Sequence, residues 1–219
     1  MFILNFQCKP DVLQISINFT TVQSMIIGIT GGFGCGKSTV LKLFERAGAA
    51  VYSADSLCHE IYEAKDTDFF NALKEYFGAE AINADGSANR KFIASKVFSN
   101  PADMDFLNKL FQQPLKEKIH SKIQNAKNSN SMTAIEIPLL FEGHYENLVD
   151  KTITIYAPVE ARKNFLAKRG FSPEEMQRRD AFQMPLDEKV KLADFVIING
   201  STEEFLEEQF NNIFNILTR

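Results

Sequence analysis

The apolar positions of this chain follow two rhythms. Short, nearly unbroken apolar runs recur as "MIIGIT" (Met25–Thr30), "AAVYSAD" (Ala49–Asp55), "MTAIEI" (Met132–Ile137), "TITIYA" (Thr152–Ala157) and "DFVIIN" (Asp194–Asn199). Runs of this length and composition read as buried strands. Between them apolar residues return every three or four positions, the spacing of one helix face. Val40, Leu43, Phe44 and Ala47 form such a stripe, and Gly48 suits the C-terminal cap of that helix. Phe69, Phe70, Leu73 and Phe77 form another. Arg90–Phe98 reads as a short helix after the turn "NADGSAN". Phe106, Leu107, Leu110 and Phe111 begin a further helix, which Leu115, Ile119 and Ile123 continue beyond Pro114. Residues 158–193 are helical and rich in charge. Thr202–Leu217 is the closing helix, with Phe205, Phe210 and Phe214 as expected core contacts.

Strands alternating with helices predict an α/β fold: a parallel five-stranded sheet inside a three-layer α/β/α arrangement. The alternation lapses once, between residues 56 and 127, where helices occur without a convincing strand. That stretch is expected to be a helical insert. Residues 1–24 stand apart. They lack a basic start, and Lys9, Pro10 and Asp11 break their apolar segment, so they make a poor secretory signal. The expectation is an N-terminal extension ahead of a natural start at Met25. An extra edge strand over "VLQISINF" is the alternative.

Composition narrows the function. A net charge of -4 argues against nucleic acid as the main partner. Cys8, Cys35 and Cys58 show neither metal nor disulfide spacing, which fits a reducing, cytoplasmic setting. His59, His120 and His144 form no ligand pattern, and no apolar run is long enough to span a membrane.

The decisive stretch is "GITGGFGCGKSTV", Gly28–Val40. Gly31, Gly36, Lys37 and Ser38 fit G-x-x-x-x-G-K-[ST], between a strand and a helix. Glycines let backbone N–H groups curl around phosphate oxygens, and the helix N-terminus adds a favourable dipole. Lys37 supplies positive charge to the β- and γ-phosphates, and the Ser38 hydroxyl is a ligand for Mg²⁺. The loop marks a nucleotide site without choosing between kinase, ATPase and GTPase. Cys35 inside it is either a thiol activated by the dipole or a small filler.

Asp55 stands at the carboxyl end of the second strand, the edge where open α/β sheets bind ligands. It suits a proton acceptor or a water-mediated metal contact, or it caps the helix that follows. Arg162, Lys168 and Arg169, then Arg178 and Arg179, lie in a helical pair placed as a lid would be. Arginines there would stabilise a transferring phosphoryl group and exclude water, the alternative being a solvated face. Glu136 is the nearest approach to the acidic residue that ends a second nucleotide-binding strand. It would reach a metal through water or pair with a neighbouring cation.

In this order, the pieces resemble the dephospho-CoA kinase family. The resemblance rests on the loop, on "VYSADSLCHEIY", on Phe77–Gly78, on "DGSANRKFIASKVFSNP" with Arg90, on Leu107–Asn108, on "EIPLLFE" and on "ADFVIINGS". It implies transfer of the γ-phosphoryl group of ATP, with Mg²⁺, to the ribose 3′-hydroxyl of dephospho-CoA. It implies Asp55 as general base, Gly34, Cys35, Gly36, Lys37, Ser38 and Thr39 as the ATP loop, and Arg169 as a lid arginine. It further implies a P-loop core (25–55, 128–157, 194–219), a CoA-binding insert (56–127) and a lid (158–193), in a monomer or weak homo-oligomer. Three positions depart from the family pattern. Ser53 replaces an acid two residues before Asp55, Gln113 replaces a histidine before Pro114, and Phe165 stands where an arginine is usual, with Arg162 one turn earlier able to reach in. The nearest rival reading is another small-molecule P-loop kinase, such as one acting on nucleoside monophosphates.

Overall fold

The computed structural model describes residues 24–64, 66–129 and 131–219. The expectations for an N-terminal extension and for a strand over "VLQISINF" fall outside these residues, Ser24 excepted. Five strands form one parallel sheet in the order β2-β3-β1-β4-β5. They are β1 (Ile26–Gly31), β2 (Ala50–Ser53), β3 (Thr133–Glu136), β4 (Lys151–Tyr156) and β5 (Phe195–Ile198). β1 is central because it is buried on both faces along its whole length, as a strand covered by helices on either side must be.

Strand residues alternate between two cores. Ile26, Ile135 and Ile137 join one, while Ile27, Ile29, Ala134, Ile153 and Ile155 join the other. The second core is closed by α1 (Lys37–Arg46) and α9 (Glu203–Leu217). Phe44 of α1 meets Phe210 and Phe214 of α9 edge-on, at centroid distances of 4.9 and 6.2 Å. α1 ends as expected at Gly48, whose φ of 88° lets its N–H reach Glu45 O while Ala49 N–H reaches Phe44 O. One expected core contact is corrected: Phe205 is 44% exposed. It precedes the buried stripe of α9, which runs Leu206, Phe210, Ile213, Phe214, Leu217.

The first core lies under α2 (Ala54–Glu63), α3 (Thr67–Phe77), α4 (Arg90–Val97) and α5 (Pro101–Ser129), all between β2 and β3. Among the described residues of this stretch, the sole β-type pairing is an isolated bridge, Ile82 to Ala88, across the expected turn. Pro114 sits inside α5 without ending it, and Phe111, Leu115, Ile119 and Ile123 keep the apolar stripe in register across it. The charged stretch after β4 resolves into α6 (Val159–Ala167), α7 (Pro173–Asp180) and α8 (Leu186–Leu192). Gly170 at φ 79° breaks the first two apart, and Ser172 with Pro173 starts the second.

Two carboxylates pin the amino-terminal ends of the strands. Asp150 Oδ2 accepts from Ile26 N at 2.8 Å. Asp194 Oδ2 accepts from both the N–H and the hydroxyl of Thr152, each at 2.8 Å, and Asp194 N–H returns a bond to Thr152 Oγ1. Partial burial alone would raise the Asp194 carboxyl, but the Thr152 bonds and the Lys151 ammonium hold it below its ordinary value of 3.8. Asp194 therefore stabilises the fold fully above that ordinary value, and the contribution is lost as pH falls through the lower folded-state value. Replacing Asp194 by Asn should cost about 1 kcal/mol near neutrality, the net worth of an exposed charge-assisted hydrogen bond. The gap in melting temperature between the two proteins should close as the pH is taken below 4. A gap independent of pH would show that the charge contributes nothing.

Candidate active site

The loop from Gly31 to Gly36 joins β1 to α1, and its shape follows from what surrounds it. Gly31, Gly34 and Gly36 have φ values of 146°, 81° and 89°, conformations that L side chains rarely adopt. Space forbids side chains there as well. A Cβ at Gly31 would strike the Ile155 carbonyl, one at Gly34 would stand 2.7 Å from Leu166, and one at Gly36 would strike the Asn199 amide. Asn199, just past β5, donates from Nδ2 to Cys35 O at 2.9 Å and fixes the loop to the sheet edge.

Lys37, the first residue of α1, folds back inside the loop. Its Nζ donates to the carbonyls of Gly31 and Gly32, both at 3.1 Å, and the side chain is buried. Burial pushes its ammonium below the ordinary lysine value, against the attraction of Glu136 and Asp55. No side chain caps α1 at Gly36, so the N–H groups of its first turn remain directed at the loop. Ser38 and Thr39 follow, both exposed at the loop's rim. Cys35 is fully buried among Ile29, Ile155 and their neighbours. Burial raises its thiol despite the nearby Arg162 and Lys37, so the filler reading holds.

Asp55 lies in the first turn of α2, where a carboxylate is favoured by the helix dipole. It is not the cap. Ser53 is, accepting from Ser56 N at 3.1 Å while Ser56 Oγ accepts from Ser53 N at 3.3 Å. That corrects the capping alternative and gives Ser53 a role: it caps the helix, and Asp55 in the turn beside it stays exposed. Glu136 ends β3, in register with Ser53 of β2 and Ile29 of β1. Burial raises its carboxyl, as does the like charge of Asp55, while Lys37 and Arg169 pull it down. One side chain thus feels Lys37, Asp55 and Arg169 together. These three come from α1, α2 and the turn after α6.

The cations of residues 158–193 divide by partner. Arg162 on α6 is buried; its Nε donates to Phe33 O in the loop at 2.8 Å, and its Nη2 reaches both Asp180 oxygens, at 2.6 and 2.7 Å. It does reach in toward the loop, but its charge is matched by Asp180, so it joins the loop to α6 and α7. Phe165 packs into the second core. Arg179 lies 4.4 Å from the ring centre of Phe33, 4.7 Å from Phe98 and 5.4 Å from Phe171. Arg178 pairs with Glu175 and is exposed. Arg169 is exposed and lies over Phe171. Gln113 makes a local helix pair with Glu117 at 2.8 Å, away from these groups.

Lys189 on α8 belongs to the site's support and was invisible as such in the sequence. It is fully buried, donates to Pro138 O at 2.6 Å and pairs with Glu142 at 2.9 Å. Pro138 O also accepts from the Thr30 hydroxyl at 3.1 Å, so one carbonyl ties β1, the chain after β3 and α8 together. Glu142 in turn accepts from Met184 N. The one available hint was that Lys189 sits three residues after Leu186, on the helix's inward stripe.

Comparison with known proteins accords with this arrangement. The sequence model of the dephospho-CoA kinase family matches residues 25–204. A dephospho-CoA kinase of Aquifex aeolicus is 38% identical over 88% of this chain and 97% of its own length. One of Enterococcus faecalis is 35% identical over 84% and 92%. Among solved structures, a Thermus thermophilus protein superposes with a TM-score of 0.73 at 32% identity, covering 90% of this chain and all of its own. The dephospho-CoA kinase from Campylobacter jejuni does so with a TM-score of 0.66 at 25% identity, covering 88% and 96%. With its phosphate loop, its acidic sheet edge and a family match from Met25 to Glu204, this chain belongs to the dephospho-CoA kinase family.

Proposed function

We propose that this kinase transfers the γ-phosphoryl group of ATP to the ribose 3′-hydroxyl of dephospho-CoA, giving coenzyme A and ADP. The observation that carries the reading is the phosphate loop closed around Lys37, with Glu136 in register beside the Ser53 that precedes Asp55, in a chain of this family. Gly34, Cys35, Gly36, Lys37, Ser38 and Thr39 hold the triphosphate through backbone N–H groups and the Lys37 ammonium. The donors at this edge are oxygens: the Ser38 hydroxyl and the Asp55 and Glu136 carboxylates, a set that suits a hard cation such as Mg²⁺. Ser38 would hold the ion directly, with Asp55 and Glu136 reaching it through water, and it would supply charge neutralisation for the β- and γ-phosphates.

Asp55 orients the acceptor hydroxyl and takes its proton as the new O–P bond forms. The bond from the γ-phosphorus to the bridging oxygen breaks, and ADP leaves. Lys37 and Arg169 stabilise charge on the transferring group. Residues 158–193 act as the lid that excludes water, residues 56–127 as the acceptor-binding insert, and residues 25–55, 128–157 and 194–219 as the core. Among the described residues no helix is long and apolar enough to cross a membrane. The proposed setting is the cytoplasm, as a monomer or weak homo-oligomer with small-molecule partners.

The direct test is product formation from ATP, Mg²⁺ and dephospho-CoA. Coenzyme A and ADP should appear in equal amounts, with little turnover of adenosine or AMP; ADP without coenzyme A would sink the acceptor assignment. Asp55→Asn should lower kcat by about 10²-fold or more, typical of lost general-base help, with ATP affinity within about twofold of the parent. Unchanged turnover would take Asp55 out of that role. Lys37→Ala should weaken ATP binding and turnover together by about 10-fold or more each, since its charge contacts phosphate in ground and transition states alike. Normal ATP binding by calorimetry would contradict the loop assignment.

A further inference from the structure

A second cationic group stands on the acceptor side of Asp55. α2 carries Asp55, Cys58, His59 and Tyr62 on successive turns, and Arg90, the first residue of α4, reaches across to that helix. Arg90 Nη1 lies 3.3 Å from His59 Nδ1, and its guanidinium stands 5.6 Å from the Tyr62 ring centre. A guanidinium can only donate, so His59 Nδ1 accepts and the imidazole keeps Nε2–H as a further donor. Both partners of Arg90 are aromatic rings, and among the described residues no carboxylate forms an ion pair with it. Glu63, exposed, lies 3.7 Å from His59 Nδ1.

The helix dipole mildly disfavours a cation at the position of Arg90. The first turn of α4 holds Arg90 and Lys91 and no acidic residue, so two cations face the positive end of the helix dipole. A fixed, exposed arginine without a carboxylate, beside a histidine donor, is suited to a phosphate group. The distance to the reacting hydroxyl also fits. The Cys58 thiol, pushed up to about 12 by burial, is acted on electrostatically by both Asp55 and Arg90. Along the α2 axis Asp55 and His59 are separated by about 6 Å, at 1.5 Å per residue. A ribose with its 5′ methylene spans a comparable gap, so a nucleotide whose 3′-hydroxyl meets Asp55 brings its 5′-phosphates to this level.

We propose that Arg90, with His59, forms the subsite for the 5′-diphosphate of the acceptor, and that it sets the preference for a nucleoside diphosphate ester over a bare nucleoside. The proposal rests on the acceptor named above. Arg90 is a binding and specificity residue; Asp55 remains the group at the reacting atoms. The Tyr62 ring holds the guanidinium in place without neutralising it.

Calorimetric binding of dephospho-CoA, alongside kcat/KM for dephospho-CoA and for adenosine, tests this in the parent, Arg90→Ala and Arg90→Lys. Arg90→Ala should weaken dephospho-CoA binding by about 10- to 100-fold, the worth of a charge-assisted contact to phosphate. The ratio of kcat/KM between dephospho-CoA and adenosine should fall by the same factor, with KM for ATP within about twofold. Arg90→Lys should recover part of the loss, because the charge remains and the fork does not. Unchanged affinity in Arg90→Ala, or an equal loss with adenosine, would overturn the subsite. A parent protein that binds dephospho-CoA through Arg90 yet makes no coenzyme A would overturn the kinase reading alone and uphold the subsite.

Discussion

A buried positive charge organises this molecule. The Lys37 ammonium is enclosed by the carbonyls of its own loop, and its desolvation is answered by carboxylates at the ends of neighbouring elements. A charge in such surroundings is tolerated only if its partners are held in place. That requirement explains why so much of the sheet edge is fastened. Asn199 holds the loop from the β5 side, Arg162 from α6, and Leu166 closes the space over Gly34. Glu136 is fixed between its two strand neighbours. A loop of this shape could not persist on glycine flexibility alone, because glycine widens the choice of conformations and does not select one.

The fastenings reach well beyond the loop. Lys189 with Glu142 repeats the same device one layer away, a fully buried ammonium answered by a carboxylate and a carbonyl. Arg162 with Asp180 joins α6 and α7 to the loop through one guanidinium. Arg179 rests among Phe33, Phe98 and Phe171, which belong to the loop, the segment after α4 and the segment after α6. Apolar contacts such as Leu166 over Gly34 and Phe171 against Phe33 connect the regions around the cleft, and charge-bearing side chains connect them as well. Contacts of this kind depend on geometry more steeply than apolar packing does, which suits elements that must meet in one arrangement.

Much of this was legible in the sequence, for physical reasons that differ by element. The central strand announced itself because a strand buried on both faces is a nearly continuous apolar run, as Ile26–Gly31 is apart from Thr30. The loop was legible because its chemistry requires glycines and a lysine at fixed spacing. Phe205 was misread because a phenylalanine in a helical stretch carries no label for its face; the stripe starts one residue later, at Leu206. A cap was the alternative role for Asp55 because its side chain suits one, and the paired geometry of Ser53 and Ser56 removed it. The supports of the site were hidden more deeply. Arg162 and Phe33 lie 129 residues apart, and Asn199 and Cys35 lie 164 apart. Spacing from Leu186 alone sets Lys189 apart from the exposed Lys191 two places on, and nothing in that spacing tells of Pro138.

Cys35 carries a consequence of a different kind. Thiol reactivity requires the thiolate and a path for the attacking reagent, and burial denies both here. A cysteine at the heart of a nucleotide loop invites the idea that oxidants switch the enzyme off. In this protein the side chain contributes its size alone, so the loop remains indifferent to the redox state of its surroundings for as long as the fold holds.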